Sequence, residues 1–155
     1  MFDKNLLGNN ISDIDKNLLA QTIRKIDLFF AKFGVNIDYD NSRELFRNLK
    51  VEDVEGKQDY IVSYNEVNNT IKQNLENPDF SPKRYEAELI ESLLSVLSRK
   101  YNFEESRYDE GLLNRDTNLE SHGNSLNEML RSYIGTLITG YNKETSVKDF
   151  YLDSP

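Results

Sequence analysis

A chain of 155 residues with net charge −8, 37% apolar and 30% charged residues has the length of one domain and a modest supply of core-forming side chains. The negative balance opposes high-affinity binding to a nucleic-acid backbone and favours solubility or a basic protein partner. With no cysteine, a disulfide framework, a thiolate metal site and a thiol nucleophile are all excluded.

A domain of this size buries roughly 68–70% of its unfolded surface. Nine tyrosines and eight phenylalanines supply much of the core and argue against wholesale disorder. No run of about 18 apolar residues occurs, so no membrane span is expected. The opening Met1-Phe-Asp-Lys-Asn-Leu-Leu7 lacks the basic and apolar regions of a secretory signal, and together with the absence of cysteine this points to the cytoplasm.

Residues 1–14 read as a mobile lead-in carrying Leu6, Leu7, Ile11 and Ile14. From Asp15, a plausible N-cap, to Phe33 the spacing of Leu19, Ile23, Ile26, Phe30 and Phe33 describes one apolar helix face, which Gly34 ends. The Phe29-Phe30 pair reads as core packing. Val35–Tyr39 is a loop, and Ser42 starts a short helix that buries Leu45, Phe46 and Leu49. Residues 51–57 form an acidic connection. Residues 58–76 read as a helix packing through Tyr60, Ile61, Tyr64, Val67, Ile71 and Leu75, because a strand here would have no visible partner.

Pro78 and Pro82 break the chain, with Ser81 as cap and Pro82 as the first helical residue. The helix from Pro82 to about Tyr101 is strongly patterned through Tyr85, Leu89, Leu93 and Val96, with Ile90, Leu94 and Leu97 beside them. Residues 102–111 read as an acidic loop. A last helix, capped by Ser125, carries a stripe of Leu126, Leu130, Tyr133 and Leu137 supported by Met129, Ile134, Ile138 and Tyr141. Gly135 permits a close helix crossing there. Residues 145–155 read as a mobile tail. The expected fold is therefore all-α: a compact bundle of four or five main helices forming one domain over residues 1–155.

Between the last two helices lies Arg115-Asp-Thr-Asn-Leu-Glu-Ser-His122-Gly-Asn124, which holds the chain's only histidine. Six residues separate Arg115 from His122, about two helical turns, so on one continuous helix they would share a face. Arg115 can grip two phosphate oxygens, and His122 can move a proton near neutral pH. Asp116 can orient either one, and Asn118 or Asn124 can position a hydroxyl or phosphate. The same spacing also fits a solvated turn.

The helix Ser81–Tyr101, followed by Asn114-Arg-Asp-Thr-Asn-Leu-Glu-Ser-His-Gly-Asn124 and a second amphipathic helix, resembles the HEPN superfamily, in particular its abortive-infection C-terminal branch. The resemblance covers residues 78–141: Arg115 and His122 fall on the motif's two charged positions, Asp116 on its polar position and Gly123 on its glycine. It implies an all-helical, often dimeric domain and a metal-independent ribonuclease. In such an enzyme His122 would assist attack of an RNA 2′-hydroxyl and Arg115 would stabilise the phosphate, leaving 2′,3′-cyclic phosphate ends.

Other chemistries find less support. One histidine and no cysteine leave no common zinc set, and Asp109, Glu110 and Asp116 lack a diagnostic magnesium spacing, so neither a metal nor a cofactor is expected. No phosphate-binding glycine loop or nucleophile elbow occurs. The leading expectation is an acidic helical interaction or regulatory protein of defence or mobile-element type. Its partner would be a protein with a basic surface or a second copy of the chain. A HEPN-like ribonuclease acting on RNA is the alternative.

Overall fold

The protein's structure, a computed structural model, describes residues 2–113 and 129–141. Helix α1 spans Asp13–Ala31. Its cap is Ser12, not Asp15: the Ser12 hydroxyl accepts a hydrogen bond from the Asp15 amide at 3.2 Å, while Asp13 and Asp15 favour the positive end of the helix dipole. Leu19, Ile23 and Ile26 are buried along one face. Phe30 packs partly against the core, whereas Phe33 lies past the helix end and is exposed. Gly34, at φ 74°, supplies the left-handed turn that ends the helix.

The N-terminal arm, expected to be mobile, is packed down. Leu7 and Ile11 are buried, and Phe2 meets Tyr39 and Phe46 edge-on with ring centroids 5.2 Å apart in both pairs. Gly8 allows this approach, since a Cβ there would lie 1.9 Å from the Arg47 carbonyl oxygen. Helix α2, Arg43–Arg47, follows a 3-10 turn, Asp40–Ser42; Ser42 precedes it without a side-chain cap. Phe46 and Leu49 anchor this segment in the core.

The all-α expectation is wrong between residues 50 and 73, where the chain forms a three-stranded sheet. Strands β1 (Lys50–Asp53), β2 (Val62–Asn65) and β3 (Thr70–Gln73) lie in the order β1-β3-β2. β3 pairs parallel with β1, Val51 opposite Ile71, and antiparallel with β2, Tyr64 opposite Ile71. The fold is thus mixed α/β, not a helical bundle. The partner strand that seemed absent is the acidic Lys50-Val-Glu-Asp53, which carries too few apolar residues to announce itself. The turn is set by asparagines: Asn65 Oδ1 accepts from the Val67 and Asn68 amides, and Asn69 adopts φ 50°, a conformation asparagine tolerates better than most residues. Val67, assigned to a helix core, is 91% exposed at the hairpin tip. Leu75 is also exposed.

A parallel pair needs a crossover, and the β1–β2 connection supplies it with irregular backbone that must find partners. Side chains provide them. Asn74 Nδ2 donates to the Gly56 carbonyl at 2.6 Å, and Asn77 Nδ2 donates to the carbonyls of Gln58 and Tyr60 at 3.0 and 3.2 Å. Arg84 Nη2 donates to the Asp59 carbonyl at 3.0 Å. Glu88 Oε1 accepts the amides of Ile61 and Val62 at 2.9 and 3.4 Å, while Arg84 Nε donates to Glu88 Oε2 at 2.6 Å. Both side chains of this ion pair are mostly shielded from solvent.

Helix α3, Pro82–Leu113, starts where Ser81 Oγ accepts the Arg84 amide at 3.1 Å. Leu89, Ile90, Leu93 and Val96 form its buried stripe, facing β2 and α1. The helix continues through residues 102–111, which were expected to form a loop; Gly111 does not interrupt it. Helix α4 covers residues 129–139. Gly135 meets Ala87 of α3: a Cβ at Gly135 would lie 3.0 Å from the Ala87 carbonyl oxygen, so the glycine sets the close crossing. Tyr141 lies near Arg84, one turn before Ala87, so α4 runs antiparallel to α3.

Removing Glu88 strands two amides and a guanidinium, whereas the Lys25–Glu86 pair is far more open to solvent. Glu88→Ala is expected to cost about 2–3 kcal/mol in urea unfolding, and Lys25→Ala less than about 0.5 kcal/mol. Equal losses would show that the crossover does not depend on Glu88.

Candidate functional site

The sequence-assigned site residues Arg115, Asp116, Asn118, His122 and Asn124 lie outside the described residues. Helix α3 is described to Leu113, two positions before Arg115, so a helix rather than a loop leads into this segment. Among the described residues, no group of three or more His, Cys, Asp or Glu side chains is placed to hold a metal, and no helix is long and apolar enough to cross a membrane.

The most distinctive surface among the described residues is the outer side of α4. The helix turns Ile134 and Ile138 partly onto the core and presses Gly135 against α3. Its opposite side carries Met129, Leu130, Tyr133 and Leu137, which are 68, 56, 59 and 50% exposed. The expected main stripe is therefore the outer face, and its supposed support, Ile134 and Ile138, is the buried one. The reason lies in Gly135: only that side of the helix lets the two backbones come this close, so the glycine decides which of two apolar faces turns inward.

Leu130, Tyr133 and Leu137 follow spacings of three and four, the pattern by which one helix seats against another. Exposed apolar ridges of this kind mark interaction surfaces more often than isolated exposed side chains do. Residues 129–141 contain no aspartate or glutamate and one arginine, in a chain of net charge −8. The ridge is thus an uncharged strip on an acidic molecule. A smaller apolar group, Leu28, Phe33 and Val35, stands at the C-terminal end of α1, where the Phe29 ring contacts Phe30 and Phe33 edge-on.

Two tyrosines are tied into the electrostatics of the core. Tyr39 donates to Asp27, and its phenol is held well above its ordinary range by burial, by that hydrogen bond and by the Asp27 charge. Tyr85 donates to Gln73 Oε1 at 2.8 Å, and Gln73 Nε2 donates to Asp53 Oδ1 at 2.7 Å, a relay from α3 through β3 to β1. Burial pushes Tyr85 up to about 12, helped by the charges of Asp15 and Asp53. Burial would lower the Arg84 guanidinium, but its hydrogen bond to Glu88 and the Glu88 charge outweigh this and raise it.

Comparison with protein-family models, with curated proteins and with solved structures found no match to this chain. The ridge on α4 and the tyrosine relay therefore stand on their own physical chemistry.

An unfolded phenol ionises near 10.0, whereas folded Tyr85 keeps its proton until about 12. The folded state thus binds that proton more tightly. The resulting stability is complete below pH 10 and is lost as pH rises through 12. Titration followed at 295 nm together with circular dichroism should show these two tyrosines ionising only as the fold is lost, and Tyr85→Phe should flatten that alkaline fall in stability. Normal ionisation of all tyrosines near pH 10 in a folded chain would contradict this.

Proposed function

We propose that this chain is an interaction protein that acts through the outer face of α4, and that the face self-associates. The single observation behind this reading is the ridge of Met129, Leu130, Tyr133 and Leu137, apolar and exposed on a helix whose inner face is already occupied. Leaving such a row in water is costly unless something covers it. A second copy is the favoured cover because the ridge avoids the repulsion that two chains of net charge −8 would otherwise meet. Paired across a two-fold axis, two α4 helices present the same surface to each other, as an isologous contact requires.

The described part of α4, residues 129–139, presents a face of about 16 Å. Two such faces bury less than the roughly 800 Å² per partner of a standard interface, so contact through these described residues alone is weak and reversible. A basic protein partner drawn to the acidic remainder of the surface is compatible with this reading and would extend the contact beyond α4. The ribonuclease alternative rests on Arg115 and His122, which lie outside the described residues.

Sedimentation equilibrium at concentrations from about 5 to 500 µM tests the reading. Wild type should shift from monomer towards dimer, and Tyr133→Glu with Leu137→Glu should remain monomeric while keeping its helical circular dichroism. A dimer untouched by the double substitution would remove α4 as the contact. The reading also expects wild type and His122→Ala to be equally inert towards RNA in excess EDTA. Cleavage by wild type that disappears in folded His122→Ala would overturn contact as the chain's function in favour of Arg–His chemistry, leaving self-association through α4 to the sedimentation result.

A further inference from the structure

A second surface differs from the ridge in character. Between the N-terminal arm and α1 lies an open groove of about 550 Å³, lined by Phe2, Asp3, Lys4, Asn17, Ala20, Gln21, Arg24 and Asp27. Its volume falls within the range of small-molecule sites. The α1 residues recur at intervals of three and four, so they form one side of the helix, separate from the core-facing Leu19, Ile23 and Ile26.

The charged groups in the groove are not equivalent. Both carboxylates have internal donors: Asp3 Oδ1 accepts the Asn5 amide at 2.9 Å, and Asp27 Oδ1 accepts the Tyr39 hydroxyl. Among the described residues neither cation has an acidic partner. Among the described residues the ion pairs are Lys25–Glu86, Arg43–Asp40 and Arg84–Glu88, and none of them involves Lys4 or Arg24. The side-chain amides of Asn17 and Gln21 likewise form no hydrogen bond among the described residues. Each groove carboxylate thus has one oxygen already bonded within the chain, while the groove's cations and side-chain amides have no partner among the described residues. Its two positive and two negative charges sum to zero, while the whole chain carries −8, so an anion meets less repulsion here than over most of the surface.

We infer that this groove binds a small organic anion. A phosphate or carboxylate group sits between Lys4 and Arg24, where the guanidinium can engage two oxygens, and Asn17 and Gln21 donate to whatever acceptors remain. The apolar part of the ligand rests against Phe2 and Ala20. Phe2 is held for this by its edge contacts with Tyr39 and Phe46. None of the groove's lining residues belongs to α4.

Nuclear magnetic resonance titration of the full chain with phenyl phosphate provides the test, with benzyl alcohol as the uncharged control. Saturable shifts are expected at the amides of Asn17, Ala20, Gln21 and Arg24, weakened about tenfold or more in Arg24→Glu. The control should bind far more weakly. Arg24 is exposed on a helix, so the variant should keep its fold; Lys4→Glu, on the opposite wall, gives the same readout if it does not. Absence of saturable shifts at these amides, equal binding of benzyl alcohol, or unchanged affinity in the folded charge-reversal variant would each overturn the inference.

Discussion

Glu88 holds this fold together at its least regular point. One carboxylate accepts two backbone amides with one oxygen and a guanidinium with the other, tying α3 to the start of β2. The crossover from β1 to β2 has no regular secondary structure to satisfy its backbone, and four side chains do so instead: Asn74, Asn77, Arg84 and Glu88. Hydrogen bonds to a charged, partly buried group are stronger than neutral ones, and removing the carboxylate leaves all its donors unmatched. With the crossover fixed, β1 can lie parallel to β3, and the sheet can present Val62 and Ile71 to the core.

The helical layer then determines what is left facing water. Helix α3 supplies the central stripe and also the platform on which α4 crosses, with Gly135 against Ala87. A helix bearing apolar residues on two sides can bury only one against a single neighbour. The closest-packed side faces inward here, and the larger side chains Leu130, Tyr133 and Leu137 remain outside. The apolar face that α4 leaves in water is thus a by-product of where the glycine permits contact.

Much of the helical framework was legible in the sequence. The Ser81–Pro82 start of α3 and its stripe of Leu89, Ile90, Leu93 and Val96 follow from capping chemistry and period alone. So does the α1 face of Leu19, Ile23 and Ile26. The sheet was not legible, for two physical reasons. Tyr60, Tyr64, Val67, Ile71 and Leu75 happen to fall at helical spacing, and β1 is a mostly polar strand whose pairing with β3 is non-local. The usable signal was the asparagine cluster from Asn65 to Asn69, which is turn chemistry rather than helix interior. On α4 the period located the helix but could not choose between its two apolar faces. The groove was not legible because it joins Lys4 to a face of α1 that reads as ordinary solvated surface. The Arg115–His122 pattern lies outside the described residues.

Hydrogen–deuterium exchange of the wild-type chain at low and high protein concentration tests the central claim directly, since it locates any contact without assuming a partner. Self-association through α4 predicts slower exchange at high concentration in residues 129–139, with the β1–β2 crossover protected equally at both concentrations. Protection that rises elsewhere while α4 exchanges at the same rate, or no change anywhere over a concentration range that forms dimers, would contradict the account.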